Sequence, residues 1–574
     1  MISPMILNTT KRLMFLLLII TSYGLTQDAS IKNARDKLND GDIKEAIETL
    51  REILKDYPES ADAYYWLGMA YYKNGQINDA LNSAMTAYTL KPKHLLNRYL
   101  LLDIYLQSNN FIDAKKEVDY LLKESPKDLN LSIRNAECLI GLNQFESASI
   151  QLSKLEVQKE LPQSYLIKVL VLLGDVYAAQ NITPTAISYY SKAVLLSENS
   201  VDTHLKLGKV LFKDRRYNEA LKEFLEVVRL DSDSDEGNLN VGYIYFNGGK
   251  SNPQQYGNAI YYLLKYVQLA PADYRGYLYI GKSYYALRSY RNAIGPFKSA
   301  IELDTTDQRN ETLKYLAECY SAVQENFNAI QSYEELLKNR YELEAKDYAR
   351  LGILYKTLKD TVNTIKCFDM AASMDSAYQS LFLDIGLMYY AGRNYQEAAR
   401  WFERRVAASP NDSNVSSAWQ NLGLAQFYSA KTTEDTIKAI FSVRKAISLK
   451  PSSQPYWLIL AQICEYADSV ESAKTAYQVV ADIDTSDAQA YYGLASIAYR
   501  LKDNDVAIGY FTKVMNLDHK FKYAPYFAAQ CYLRQKKNFA AIPFLKKYLE
   551  LDPEGQFAAN AKFILKQLGA NGAK

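Results

Sequence analysis

Residues 61–94 read ADAYYWLGMAYYKNGQINDALNSAMTAYTLKPKH, and residues 95–128 read LLNRYLLLDIYLQSNNFIDAKKEVDYLLKESPKD. Set one above the other, they place Ala80 over Ala114, Tyr71 over Tyr105 and Pro92 over Pro126. The period is 34 residues, and the same register runs from about Gln27 to Gly555, giving fifteen copies. Within each copy the apolar residues recur at helical spacing in two stretches separated by a short polar turn. A repeat of that length cannot bury its own apolar face and must stack on its neighbours. The sequence therefore predicts an all-α, right-handed superhelical solenoid of helix–turn–helix units, not a set of globular domains.

Two positions of the repeat are kept small. The eighth is Gly or Ala in every copy except the third, which has Leu102. The twentieth is Ala in every copy except the tenth, which has Thr364. Small residues at both places let the first helix (A) and the second (B) approach closely. Glycine within a helix costs about 0.5–1 kcal/mol relative to alanine, and close packing is the compensation. Large residues at position 24, such as Phe224, Phe297, Phe368 and Phe511, are expected to fill the layer between repeats. Proline near position 32 (Pro58, Pro92, Pro126, Pro271, Pro410, Pro451, Pro553) ends helix B, because proline cannot continue a helix interior.

The second copy carries Tyr64, Leu67, Gly68, Tyr71, Ala80, Ala84, Ala87 and Pro92; the eleventh Gly386, Tyr389, Tyr395, Ala398, Phe402 and Pro410; the twelfth Trp419, Leu422 and Gly423. In this pattern the chain resembles the tetratricopeptide repeat family over nearly its whole length. The expected organisation is a leader at 1–26, repeats one to four at 27–162, an inter-repeat insertion at 163–166, repeats five to eight at 167–307, repeats nine to fifteen at 308–555, and a capping helix with the C-terminal tail at 556–574. Phe557, Ala561, Ile564 and Leu568 give the last helix one apolar face, which a terminal repeat needs as a cover. Loop insertions are expected at Gln163–Leu166, at Gly248–Gly257 of repeat seven, and at Ser413–Val415 and Lys431–Asp435 of repeat twelve. The glycine-rich loop of repeat seven is the candidate hinge or contact loop.

The first residues read as a secretory signal. Lys11 and Arg12 precede an apolar run, Leu13–Ile20, too short to span a bilayer, and Gly24 and Thr26 sit at −3 and −1 of a cut before Gln27. The expectation is an exported, periplasmic protein of a Gram-negative bacterium, with an uncleaved inner-membrane anchor as the alternative. After cleavage no integral membrane segment is expected. Lys+Arg total 67 against 65 Asp+Glu, a formal charge of +2, which gives no electrostatic footprint for nucleic acid. The five cysteines form no CxxC pair. Cys138, Cys319 and Cys531 share the tenth position of different repeats, too far apart for the roughly 7 Å that a disulfide requires. All five read as small buried hydrophobes.

No catalytic constellation emerges. Gly276–Ser283 fits GxxxxGKS letter for letter, but that motif cradles phosphate only between a strand and a helix, and here it falls inside helix A of repeat eight. The three histidines, His94, His204 and His519, lie far apart, so no metal cluster or nucleophile–histidine pair is expected. The sequence predicts a non-enzyme without cofactor.

The anomaly is tyrosine: 49 residues against 20 Phe and 4 Trp. The family resemblance implies that helix A lines a concave groove through positions 2, 5, 9, 12 and 13. Those positions hold Tyr65, Tyr72, Tyr99, Phe212, Tyr243, Phe246, Tyr285, Tyr390, Phe427, Tyr428, Tyr466, Tyr492, Tyr499, Tyr523 and Tyr526. Tyr71, Tyr105, Tyr177, Tyr284, Tyr355 and Tyr389, at position 11, belong instead to the packed core. Lys282, Lys346 and Arg350 are the cationic candidates, although the family's carboxylate clamp is incomplete: Lys346 and Arg350 match only its last pair. Tyrosine offers large contact area at low rotamer cost, which suits protein recognition. The expected function is a protein-interaction scaffold that binds polypeptide in an envelope assembly, with oligomeric state open. A glycan or cell-wall-binding module, or a regulatory subunit of an enzyme encoded elsewhere, is the alternative.

Overall fold

The computed structural model describes residues 28–408 and 415–569. The proposed leader, Pro410, Ser413 and the tail 570–574 lie outside the described residues. Among the described residues there is no strand. Fifteen helix pairs follow one another, beginning with residues 28–40 and Ile43–Asp56 and ending with Tyr523–Arg534 and Asn538–Leu551, and one further helix, Ala558–Gln567, comes after them. The chain forms two compact units, one through Asp304 with repeats one to eight, the other from Thr305 with repeats nine to fifteen and the final helix.

Within each unit, helix A packs on its own helix B, and helix B packs on helix A of the next repeat. Successive A helices also touch, as Ala61–Lys73 does Leu95–Gln107 and Leu381–Ala391 does Ser416–Ser429, whereas successive B helices stand further apart. Position 20 is fully buried in all fifteen repeats, Thr364 included. Thr364 fits because its hydroxyl donates to the Asp360 carbonyl at 2.6 Å, so no buried donor is orphaned. The position-24 rings Phe224, Phe297, Phe368, Phe402 and Phe511 are at most 1% exposed.

A recurring device closes helix A. The residue at position 15 has φ between 55° and 95° in thirteen repeats: Gly41, Gly75, Asn109, Asn143, Asn181, Arg215, Arg288, Gln324, Lys359, Arg393, Asp468, Lys502 and Lys536. This left-handed residue ends the helix and turns the chain into helix B. Repeats seven and twelve lack it. There Gly249 has φ −58° and Ala430 φ −60°, and these are two of the repeats with inserted residues.

The insertions are built differently from the expected loops. Gln163–Leu166 form the first turn of a 17-residue helix, Gln163–Ala179, so the extra residues lengthen helix A. In repeat twelve helix B, Thr433–Leu449, is also 17 residues long, against 14 in the neighbouring Val470–Ile483. It begins at a capping box in which the Thr432 hydroxyl accepts from the Asp435 N–H at 3.2 Å, and the Asp435 carboxylate accepts from the Thr432 N–H at 3.1 Å. Lys431–Asp435 thus supply a helix start and its cap. Among the described residues, extra residues form a true loop around residues 249–254 of repeat seven.

Candidate functional site

The candidate residues divide into four groups. Tyr65 and Tyr526 are each 5% exposed and belong to the packed layers, which corrects their reading as groove residues. Tyr65 sits edge-on to Trp66 and against His94, at 5.0 and 5.1 Å between ring centroids. Tyr526 stacks on Phe557 and accepts from the Asn560 amide at 2.9 Å, so it fastens the last helix. Their surroundings fill in because Trp66 and His94 close over Tyr65 and Phe557, beyond the last repeat, closes over Tyr526; spacing alone does not reveal this. Tyr72 and Tyr99 are half-buried against the core of repeats one to four.

The second group is an aromatic cluster across repeats six to eight. Phe212 lies 5.7 Å from Tyr243; Tyr243 lies 4.9 Å from Tyr279; Tyr279 lies 5.2 Å from Phe246. Tyr279, at position 6, was missed by reading groove positions only. Burial first, then neighbouring Tyr243, pushes the Tyr279 phenol up to about 12, so it remains a neutral hydroxyl at physiological pH. The cluster borders a cleft of about 510 Å³, lined on one side by the repeat-seven loop through Lys250, Ser251 and Asn252. Tyr285 is not part of this cluster; its ring meets Tyr290 at 5.5 Å.

The third group is the more exposed. Tyr390 contacts Tyr395 at 5.2 Å and Tyr428 at 6.2 Å; Tyr428 contacts Tyr395 at 5.1 Å and Phe427 at 5.4 Å; Phe427 meets Tyr466 edge-on at 5.1 Å. This unbroken run crosses the A helices of repeats eleven (Leu381–Ala391), twelve (Ser416–Ser429) and thirteen (Gln454–Tyr466). Tyr428 is 53% and Tyr466 75% exposed, so the run ends in open aromatic surface. Tyr492, Tyr499 and Tyr523 pack further along against Phe521, Phe527 and Phe557, at 4.7, 5.3 and 6.1 Å.

The fourth group is ionic. Lys346 pairs with Glu344 at 2.7 Å, and Arg350 pairs with Glu318 at 2.8 Å while donating to the Tyr333 hydroxyl at 3.4 Å. Both cations are thereby neutralised within repeats nine and ten, and neither stands ready for a ligand carboxylate. Lys282 is half-buried in the helix Tyr274–Ala286. That helix contains all of Gly276–Ser283, so its interior amides serve the helix rather than a phosphate.

Sequence reasoning also missed a set of ion pairs that link one helix A to the next. Arg134 pairs with Asp103, and Lys206 with Asp175 at 2.9 Å. In both cases the partners are 31 residues apart, a spacing that joins position 9 of one repeat to position 6 of the next. Burial raises the Asp103 carboxyl, with Arg134 opposing. Burial alone would lower Lys206, but Asp175 and Asp202 hold its ammonium above its ordinary range. Opposite charges one repeat less three residues apart were the available sign.

Among the described residues no three His, Cys, Asp or Glu side chains gather where a metal ion could be held. No helix among them is long and apolar enough to cross a membrane.

Stacked helix pairs with small residues at positions 8 and 20 define an α-solenoid repeat protein of the interaction-scaffold kind. A tetratricopeptide-repeat model matches residues 31–94, 205–274 and 465–514, so these stretches are tetratricopeptide repeats. It is 24% identical over 384 residues to human protein O-mannosyl-transferase TMTC3, a match covering 66% of this chain and 38% of that protein. It is 21% identical over 307 residues to the Drosophila melanogaster BBSome complex member BBS4 homolog, covering 52% and 61%. The chain thus spans less than two thirds of either relative. Among solved structures it is similar to the Cut9–Hcn1 hetero-tetramer of the APC/C, with 14% identity, 88% of this chain and 96% of that chain covered, and a TM-score of 0.32.

Proposed function

We propose that this chain is a non-catalytic scaffold that binds polypeptide through the aromatic surface of its A helices, working outside the cytoplasm in an envelope assembly. The observation that carries the reading is the continuous ring run from Tyr390 through Tyr428 and Phe427 to Tyr466, which spans three successive repeats and is openly exposed at Tyr428 and Tyr466. An aromatic track with hydroxyl groups suits an extended segment or a partner helix, because tyrosine gives contact area at little entropic cost. Relatives named as BBSome complex members fit a role in multiprotein assembly. The extracytoplasmic placement rests on the leader-like segment before Gln27.

The test is photo-crosslinking in the native cell with a probe at Tyr390, at Tyr466 and, in the first unit, at Tyr285, followed by mass spectrometry. A discrete protein adduct from Tyr466 supports the track and names its partner. Adducts only from helix-B control positions, or adducts only to polysaccharide, overturn the proposal. Sequencing the N-terminus of the purified protein tests export: a chain beginning at Gln27 supports it, and an intact Met1 removes cleavage from the account.

A further inference from the structure

Repeat seven departs from its neighbours, and the departure makes a cleft of about 510 Å³. The left-handed residue after helix A is missing, and residues 249–254 intervene before helix B, Gln255–Leu269. Two glycines permit the close return. A Cβ at Gly248 would strike the Gln255 Oε1, and one at Gly249 would lie 2.5 Å from the Tyr256 ring. The bare face of Gly248 therefore seats the Gln255 carboxamide at the wall of the cleft.

The cleft combines rings with polar side chains. Phe212 meets Tyr217 edge-on at 5.3 Å and Tyr243 at 5.7 Å, and Tyr217 stands 46% exposed. Two of the lining amides are engaged with the backbone. The Asn247 amide donates to the Tyr243 carbonyl at 3.0 Å, and Asn252 Oδ1 accepts from the Gln254 N–H at 3.2 Å. Asn218 and Gln255 are not so engaged. Among the described residues nothing pairs with their carboxamides or with the Lys250 ammonium, and no carboxylate lines the cleft. Asn218 and Lys250 are exposed and Gln255 is half-buried without being sealed from solvent, so a molecule in the cleft can reach all three.

Those groups suit one kind of occupant. A carboxamide both donates and accepts, as each sugar hydroxyl does, so two free carboxamides match a dense set of hydroxyls. The electron-rich face of the open Tyr217 ring attracts the C–H face of a pyranose. An extended peptide instead presents one N–H and one C=O per residue and needs a regular row of partners. The unpaired Lys250, with no carboxylate beside it, favours an occupant that carries negative charge. The volume lies within the roughly 300–1,000 Å³ of ligand sites. We infer that this cleft binds an acidic saccharide of one or two rings. A pyranose lies on Tyr217, its hydroxyls bond Gln255 and Asn218, and its carboxylate meets Lys250. Such a site is independent of the polypeptide track in the second unit.

Digalacturonate is the probe, titrated into the full chain and followed by calorimetry at fixed ionic strength. Saturable binding is expected. Its dimethyl ester, which keeps the hydroxyls and loses the charge, should bind about two- to fivefold more weakly. Lys250→Met should erase that difference and leave the affinity for the ester unchanged. Gln255→Leu keeps the shape over Gly248 and removes the amide, and should weaken both ligands about three- to tenfold. Tyr466→Ala, in the second unit, should leave both affinities as they are. Circular dichroism melting confirms that the variants remain folded. Absence of saturable binding, equal binding of acid and ester, unchanged affinity in folded Gln255→Leu, or a loss in Tyr466→Ala overturns the inference.

Discussion

In repeat eight the ring of Phe297 occupies the space where a side chain on Gly281 would lie. A Cβ at Gly281 would stand 2.5 Å from Phe297 Cδ1, and the same approach recurs between Gly352 and Phe368 and between Gly386 and Phe402, at 2.4 Å. The glycine of the apparent phosphate-loop motif is thus a packing residue. Gly281→Ala gains helix propensity worth about 0.5–1 kcal/mol but overpacks the layer at a cost of about 1–3 kcal/mol. We expect a net loss of about 1–2 kcal/mol, seen as a lower urea midpoint. Gly509, on helix B of repeat fourteen, has nothing within 4 Å of its would-be Cβ. Gly509→Ala should move the midpoint the other way, by about 0.5–1 kcal/mol.

A second prediction concerns the left-handed turn after helix A. Lys502 holds φ 63°, a conformation that costs an L-residue roughly 1–2 kcal/mol. Glycine removes that cost while adding unfolded-state freedom of about 0.5–1 kcal/mol. Lys502→Gly should therefore raise stability by about 0.5–1 kcal/mol. Lys502→Val should lower it, because a branched Cβ resists positive φ. Thermal unfolding of both variants checks the sign.

This turn also marks where the sequence stops being legible. The 34-residue beat and the small residues at positions 8 and 20 expose the helix pairs because each repeat faces the same steric demand. Position 15 hides, because Arg, Lys, Gln, Asp, Asn and Gly all occupy it and the shared property is a backbone angle. The extensions at Gln163–Leu166 and Lys431–Asp435 read as loops because inserted polar residues carry no apolar periodicity; one is a helix turn and the other a helix with its cap. Groove residues were harder still. Tyr65 and Tyr526 stand at position 5 and Tyr428 and Tyr466 at position 13; all four count as groove positions, yet the first two are buried and the last two exposed. Treating the five groove positions as equivalent hid that difference in depth.

His94 gives a pH-dependent prediction. Its Nδ1 accepts from the Asn97 backbone N–H at 3.1 Å, capping helix A of repeat three, and its Nε2 lies 3.1 Å from Asp62. The cap needs an unprotonated Nδ1. Burial lowers the imidazole pKa, with Asp62 opposing. The unfolded chain, with an ordinary value near 6.5, then binds the proton at higher pH than the folded one. The cap's contribution is complete above about pH 6.5 and is lost as pH falls through the lower folded value. His94→Ala should cost about 0.5–2 kcal/mol at pH 7.5, and the difference from wild type should narrow at pH 5. Melting both proteins at the two pH values tests this, and equal gaps would sink the capping role.

The thiols should be inert while the chain is folded. All five cysteines are buried. Burial pushes Cys138 and Cys319 up to about 12 and Cys367 and Cys531 up to about 11, and raises Cys464 as well. Thiolate is the reactive form, so none should react rapidly with a thiol reagent at pH 8. In guanidinium all five should titrate.

The last prediction concerns the C-terminal end of the second unit. Tyr526 and Phe557 stack with centroids 4.2 Å apart and planes 7° from parallel, and Phe557 N–H donates to the Tyr548 hydroxyl at 3.0 Å. Phe557 also meets Phe527 at 5.5 Å, so one ring ties the final helix, Ala558–Gln567, to both helices of repeat fifteen. Aromatic pairs contribute about 0.5–1.5 kcal/mol beyond the area they bury. Phe557→Ala removes that term together with much of a half-buried ring, for a local loss of about 2–3 kcal/mol. In a solenoid each repeat touches only its neighbours, so the damage should remain near the end. Amide exchange should accelerate across Tyr523–Leu551 and stay unchanged in Ala345–Met374. Acceleration throughout the second unit would show instead that it unfolds as one cooperative block and that the final helix secures all of it.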